Sequence, residues 1–240
     1  MKRIPYGRQQ ITKEDLKAVE EALLSDFITT GPRVEEFEKS FSAYVNTKYA
    51  VAVSSGTAAL HLAALSLRNR PGQKVITSPI TFIASANCIL YAGKEVDFVD
   101  IDPDSYLIDL NKVEDKLRKA KKGSYAGIIP VDFAGYPVNT EDLRTIADKY
   151  SLWIIEDACH APGGWFKNSK EQNIKCGSGE YSDLTIFSFH PVKHITAGEG
   201  GMISGLNEDL MKSLLSIRSH GTTKDQTLLE ENHGGWYYEM

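Results

Sequence analysis

Cysteine is scarce in this chain: three in 240 residues, at Cys88, Cys159 and Cys176, with no C-x-x-C pair. That spacing excludes a zinc ribbon and a disulfide framework. No apolar run reaches the roughly 20 residues that span a bilayer, and Met1 to Tyr6 lacks the apolar stretch of a secretory leader. An excess of positive charge is missing too. Lys and Arg number 27 against 32 Asp and Glu, a formal net charge of -5, which leaves no broad basic footprint for nucleic acid. Hydrophobic residues make up 42% and charged residues 25%, the composition of a chain that buries a core, so disordered and low-complexity classes drop out. Together these features describe a reduced, soluble, cytoplasmic protein with neither a membrane nor a nucleic-acid partner.

What is present is a change of period along the chain. Thr12-Lys13-Glu14-Asp15 reads as a capping box, and Leu16, Val19, Ala22 and Leu23 follow at helical spacing, predicting a helix that stops near Asp26. Pro32 suits the first turn of a second helix with an apolar stripe of Val34, Phe37, Phe41, Tyr44 and Val45. From Tyr49 onward, short apolar runs alternate with helical stretches. The runs are 49–53, 74–77, 96–99, 127–131, 152–155, 184–187 and 201–203; the helices are 57–67, 83–91, 110–119, 141–150 and 209–217. Runs this short and apolar suit strands covered on both faces, and the alternation predicts a mostly parallel α/β sheet of about seven strands between helices. The basic stretch 116–122 reads as a solvated helix end. From Ser219 to Met240 the chain is polar and aromatic without clear period, as if it led into something further. The expected boundaries are therefore an N-terminal helical segment over 1–30, an α/β domain over 31–218, and a tail over 219–240.

Three places carry chemistry. In Val51-Ala52-Val53-Ser54-Ser55-Gly56-Thr57-Ala58, a strand turns into a helix start. Gly56 permits close approach of the backbone, Thr57 adds a hydroxyl, and the helix N-terminus favours an anion, most naturally phosphate. No Gly-Lys-Ser/Thr follows, so it is not a Walker loop. An ordinary N-cap explains the same residues.

Leu152-Trp153-Ile154-Ile155-Glu156-Asp157 is a buried strand ending in two acids, followed by His160. Ligands of open α/β sheets sit beyond the carboxyl ends of strands, and alternation lets only one of the two acids face such a site. Leu184 to Phe189 leads through Ser188 and a proline turn to Lys193 and a glycine-rich loop. A lysine desolvated in a pocket is a nucleophile toward carbonyls; on the surface it is unremarkable. His190 and His194 stand four apart, but Pro191 argues against a regular helix and no third ligand is evident, so no metal is expected.

Taken together, these parts match what pyridoxal phosphate (PLP) requires: a phosphate cradle (Gly56, Thr57, Ser188), an aldehyde-binding lysine (Lys193), a carboxylate for the ring nitrogen (Asp157) and an aromatic face (Phe82).

The ordered motifs Ser54-Ser55-Gly56-Thr57-Ala58-Ala59-Leu60-His61, Thr81-Phe82, Glu156-Asp157-Ala158-Cys159-His160, and Ser188-Phe189-His190-Pro191-Val192-Lys193 with Gly198-Glu199-Gly200-Gly201 resemble the DegT/StrS-type sugar aminotransferases. The resemblance implies the aspartate-aminotransferase fold (PLP fold type I), pyridoxal phosphate as cofactor, and a homodimer for the full-length chain; it makes 1–30 an N-terminal helix and substrate-bordering segment, 31–218 the PLP-binding large domain and 219–240 the start of a truncated connection to a small C-terminal domain. It assigns the covalent cofactor link to Lys193, the ring-nitrogen acid to Asp157, a neighbouring position to His160, phosphate binding to Gly56, Thr57 and Ser188, and ring stacking to Phe82.

Ile4-Pro5-Tyr6-Gly7 and Asp26-Phe27-Ile28-Thr29 resemble members that aminate UDP-linked 4-keto-6-deoxy-N-acetylhexosamines, the pseudaminic acid branch among them. Tyr6, Asp26, Phe27, Ile28 and Thr29 would then border the sugar. The implied product is UDP-4-amino-4,6-dideoxy-N-acetyl-beta-L-altrosamine, with glutamate as amino donor. The family's small C-terminal domain and its Asn-Tyr-Arg motif are not matched in this sequence, which keeps open a cofactor-binding but impaired or regulatory chain. A related sugar dehydratase is a further alternative; that branch typically carries histidine at the lysine position, and Lys193 speaks against it.

Overall fold

Apolar runs separated by helical stretches resolve, in the computed structural model, into one large sheet wrapped by helices. The structure describes residues 4–5, 7–223, 227, 229–231, 233–234 and 236–239. The helices are α1 (Lys13–Leu23), α2 (Pro32–Val45), α3 (Gly56–Ser66), α4 (Ala84–Tyr91), α5 (Leu110–Lys119), α6 (Thr140–Tyr150) and α7 (Glu208–Arg218). The strands are β1 (Tyr49–Val53), β2 (Lys74–Thr77), β3 (Glu95–Phe98), β4 (Tyr125–Ile129), β5 (Trp153–Asp157), β6 (Trp165–Lys167), β7 (Asn173–Lys175), β8 (Leu184–Ser188) and β9 (Gly201–Gly205). No helix among the described residues is long and apolar enough to cross a membrane.

Seven strands pair in the order β1-β9-β8-β5-β4-β2-β3. All neighbours are parallel except β9, which runs antiparallel to both β1 and β8. The expected strands all form, with shifted ends. β4 starts two residues earlier than its apolar run, and Val131 instead makes an isolated bridge to Asp157. β5 extends through both acids. The β6–β7 hairpin is a correction to the sequence reading. Its strands are three residues each and bury only Ile174, too little apolar alternation to be recognised.

Alternation along the strands sorts residues onto two faces. Ile155, Leu184, Ile186 and Ile203 pack with Ala59, Leu60 and Ala63 of α3 and with Leu214 of α7. On the other face Ile128 and Ile154 meet Val113 of α5 and Leu143 of α6. Farther along that face, Phe187 and Met202 meet Phe41 and Val45 of α2. Phe41 stands edge-on to both Phe187 and Phe189, with centroids 4.9 and 5.5 Å away. The consequence for the site is direct. Asp157 and Ser188 share the parity of Ile155 and Ile186 and belong to the α3 side; Glu156 shares the parity of Ile154 and belongs to the opposite side.

The capping box forms as expected. The Thr12 hydroxyl accepts from the Asp15 N–H, and Asp15 accepts from the Thr12 N–H. Helix α1 ends at Leu23, slightly before the expected Asp26, and buries none of its residues. Its Leu16, Val19 and Leu23, which recur at helical spacing, are exposed. The cap and the spacing are local signals, sufficient for a helix but silent on what covers it.

Candidate active site

The carboxyl ends of β5 and β8 meet the start of α3. Ser55 is the N-cap of α3, its hydroxyl accepting from the Ala58 N–H at 3.1 Å. Gly56, the first helical residue, is buried against the next two strands. A methyl group at Gly56 would lie 2.8 Å from Ser188 Cβ and 3.2 Å from Cys159 Sγ, so only glycine lets the helix start this close. The same crowding holds across the turn, where a side chain at Gly201 would meet the Ser55 carbonyl at 2.4 Å. Thr57, next along, is exposed at the open end. Ser188 is the last residue of β8 and is 8% exposed. Its hydroxyl and the unpaired N–H groups of the first helical turn therefore share one corner, an arrangement that suits an anion.

Asp157 closes β5 and is only 4% exposed. Its Oδ2 accepts from Ser85 Oγ at 2.6 Å, and its Oδ1 from the Cys159 N–H at 3.3 Å. The main chain fixes it further: its N–H donates to the Pro130 carbonyl, and its own carbonyl accepts from the Asp132 N–H. Glu156, one residue earlier, is buried on the far face and accepts from the Thr185 hydroxyl at 2.7 Å. The expectation that only one of the two acids faces the site is met, and that acid is Asp157.

Lys193 sits half-buried in the turn beyond β8, its N–H donating to the His190 carbonyl. His160 is also half-buried. Burial, then the Lys193 charge, then His194 lower its pKa, while Asp157 acts in the opposite sense, so the imidazole is kept neutral. Two thiols lie beside Asp157. Burial and the Asp157 charge push Cys88 up to about 12 and hold Cys159 well above the ordinary thiol range. Raised this way, both thiols are held in the protonated, poorly nucleophilic form.

Phe82 precedes α4 and is 68% exposed, one turn from Ser85, whose N–H donates to the Phe82 carbonyl. Its ring is free to cover a ligand, and no ring contact holds it among the described residues. Asp26, Phe27, Ile28 and Thr29 lie exposed on the link between α1 and α2, where Ser25 Oγ donates to the Phe27 carbonyl. Among the described residues, no hydrogen bond or ion pair joins this link to Lys193, Asp157 or His160. Tyr6 lies outside the described residues. A Cβ built on its neighbour Gly7 would lie 3.9 Å from the Cα of Val192, which puts Gly7 beside the Lys193 turn.

Among the described residues, neither His190 nor His194 belongs to a group with metal-like spacing. His190 Nδ1 is occupied by the Val192 N–H. Among the described residues, the group with metal-like spacing is instead Asp132, Glu156 and Cys176, all buried, their ligating atoms within 4.8 Å of one another. Hydroxyls and protons fill it: Glu156 accepts from Thr185 and Ser182, while Asp132 Oδ2 has no donor and is fully buried. Burial and Glu156 raise the Asp132 pKa well above its ordinary value, and burial raises that of Glu156, so folding favours a proton held between the two acids.

Sequence reasoning missed Ser85, Asp132 and Cys176. Ser85 could have been found from its spacing, four residues after Thr81 across a helix start. Asp132 and Cys176 lie far from Glu156 in sequence and carried no signal.

The chain matches the DegT/DnrJ/EryC1/StrS aminotransferase family over residues 9–240. It is 40% identical over 223 residues to the UDP-4-amino-4,6-dideoxy-N-acetyl-beta-L-altrosamine transaminase of Campylobacter jejuni subsp. jejuni serotype O:23/36, covering 92% of this chain and 56% of that protein. Among solved structures it superposes on Helicobacter pylori PseC, an aminotransferase involved in the biosynthesis of pseudoaminic acid. The TM-score is 0.83 at 31% identity, covering 97% of this chain and 60% of the other. The PLP-form of Spr1654 from Streptococcus pneumoniae gives a TM-score of 0.83 at 30% identity, covering 98% and 60%. The chain thus spans between 56% and 60% of the length of these three relatives. Its mostly parallel seven-stranded sheet is that of PLP fold type I aminotransferases. Fold, motif order and a match over nearly the whole sequence agree: this chain belongs to the DegT/DnrJ/EryC1/StrS aminotransferase family.

Proposed function

We propose that this chain forms the cofactor-binding part of a PLP-dependent nucleotide-sugar aminotransferase. The observation that carries the reading is the meeting, at one sheet end, of an anion-suited helix start, a buried acid and a half-buried lysine. The residues fit the cofactor. The Gly56 cradle is shaped so that a single Cβ would spoil it, and Asp157 is a buried carboxylate at the strand end, steadied by Ser85 Oγ, the Cys159 N–H and the Cys159 thiol.

When bound, pyridoxal phosphate supplies an aldehyde that condenses with amines and a ring that accepts the electron pair left by a departing proton. The N–H groups at Gly56 and Thr57 and the Ser188 hydroxyl hold the phosphate. Asp157 would pair with the ring nitrogen. Phe82 covers one ring face. Lys193 would hold the cofactor through Nζ, and its amine, when free, would move a proton as general acid and base. His160 borders the ring as a neutral imidazole.

The substrate we assign is a UDP-linked 4-keto-6-deoxy-N-acetylhexosamine, with glutamate as donor. The names of the Campylobacter and Helicobacter relatives support it. The segment carrying Tyr6 and the link Asp26–Thr29 would border the sugar, and a homodimer is the expected assembly.

The test has two steps. Protein loaded with pyridoxal phosphate should lose its visible absorbance on adding glutamate. It should regain that absorbance, with an amino sugar appearing by mass spectrometry, on adding the UDP-linked keto sugar. Loss of the band with glutamate but no transfer to any UDP-keto-sugar would overturn the substrate assignment; no visible band at all would overturn the cofactor assignment.

A further inference from the structure

Asp157 is fed by a chain of two hydroxyls whose direction can be worked out by counting protons. Ser85 Oγ lies 2.6 Å from Asp157 Oδ2, 2.7 Å from Thr81 Oγ1 and 3.3 Å from the Phe82 carbonyl. A hydroxyl has one proton to give. The shortest contact, to an ionised acceptor, is the strongest claim on it. Ser85 therefore donates to Asp157, and the contact with Thr81 exists only if Thr81 donates to Ser85. The alternative acceptor for Thr81, the Phe82 carbonyl, is longer at 3.2 Å. Ser85 and Asp157 are both buried, so no water competes for either bond. The chain runs Thr81 O–H to Ser85 O–H to the Asp157 carboxylate, and Thr81 is the immediate neighbour of Phe82.

We infer that Ser85 is a positioning residue for the cofactor ring, with Thr81 behind it. Ser85 fixes the rotation of the Asp157 carboxylate and keeps its charge on the oxygen pair that meets the ring nitrogen. Thr81 ties that geometry to the loop presenting Phe82. Acid and aromatic face are then set by one hydrogen-bonded unit instead of two independent ones. The inference rests on the proposed role of Asp157 as partner of the ring nitrogen.

The experiment is a double-mutant cycle read by cofactor binding and by spectrum. Pyridoxal phosphate is titrated into wild type, Ser85→Ala, Ser85→Thr, Thr81→Val, Asp157→Asn and the Ser85→Ala/Asp157→Asn pair, with thermal midpoints of the cofactor-free proteins as a control. Ser85→Ala should bind about tenfold more weakly, the scale of one hydrogen bond to a charged group, and its visible band should shift. Thr81→Val should show the same change, smaller. Ser85→Thr should restore both, because it keeps the donor. In the Asp157→Asn background, Ser85→Ala should have little further effect. If Ser85→Ala weakens binding equally in both backgrounds, or changes only the thermal midpoint, the positioning role is wrong. If Asp157→Asn itself leaves affinity and band untouched, the proposed role of Asp157 fails first, and the two failures are told apart.

Discussion

Glu156 and Asp157 are adjacent acids on one strand, both less than 5% exposed, yet they occupy different chemical worlds. Glu156 lies on the α2 and α6 side of the sheet, bonded to Thr185 and Ser182 beside Asp132, whose pKa burial and Glu156 raise. Asp157 lies on the α3 side at the strand end, held by Ser85 and by the N–H and thiol of Cys159. The first faces an enclosed network of acids and hydroxyls; the second faces the corner where the helix start, Ser188 and the Lys193 turn lie. Placement on the sheet, and not burial, is what tells the proposed ring-nitrogen partner from its neighbour.

Exchanging the acids for amides breaks the comparison most sharply. Asp157→Asn should cut transamination by about 10² to 10³-fold, the scale of losing one well-placed electrostatic partner, while hardly moving the thermal midpoint. Glu156→Gln should do the reverse. It should cost about 2–3 kcal/mol, because an acceptor hub is replaced by a group with half the acceptor capacity, with cofactor affinity per folded molecule preserved. Urea unfolding and cofactor titration on the same preparations read both arms.

Asp132→Asn should cost less, since an amide can donate to Glu156 as the protonated acid does. It should also alter the pH profile in a definite sense. The Asp132 pKa is raised on folding, so its contribution is complete below the ordinary aspartate value and is lost as pH rises through the higher folded value. The variant should therefore lose less stability than wild type on the alkaline side, measured by unfolding at a series of pH values. A steeper alkaline loss in the variant would mean that Asp132 is ionised.

The smallest effect belongs to His160, whose folded pKa is lowered by burial and by Lys193. Its contribution is present above the ordinary histidine value near 6.5 and is lost as pH falls through the lower folded value. His160→Gln should flatten the acid side of the stability curve slightly, and an unchanged curve would count against a buried neutral imidazole.

The sequence made one half of this comparison readable and hid the other. Alternation along Leu152 to Asp157 already implied that one acid faces away, and the strand-end rule picked the region of the site. Gly56 and Ser188 could be named because each sits at a helix or strand end, and Lys193 because it follows a proline turn beyond β8 and precedes a glycine-rich loop. Phe82 was named from the need for an aromatic face and the Asp26–Thr29 link from resemblance alone, and both are exposed without a contact that fixes a role. The network behind Glu156 was not legible, because Asp132, Cys176 and Thr185 reach it only through the sheet register and the loop after β4. The β6–β7 hairpin and the bare face of α1 escaped for a related reason: local periodicity says what a segment can form, and says nothing of its neighbour.

The central claim is that Lys193 holds pyridoxal phosphate while the thiols beside Asp157 stay silent. It is tested most directly by reducing the loaded protein with borohydride and mapping the modified peptide by mass spectrometry. The account predicts one pyridoxyl group, on Lys193, and none in a Lys193→Ala variant. Modification at another lysine, or an unmodified Lys193 peptide in protein that shows the visible band, would contradict it.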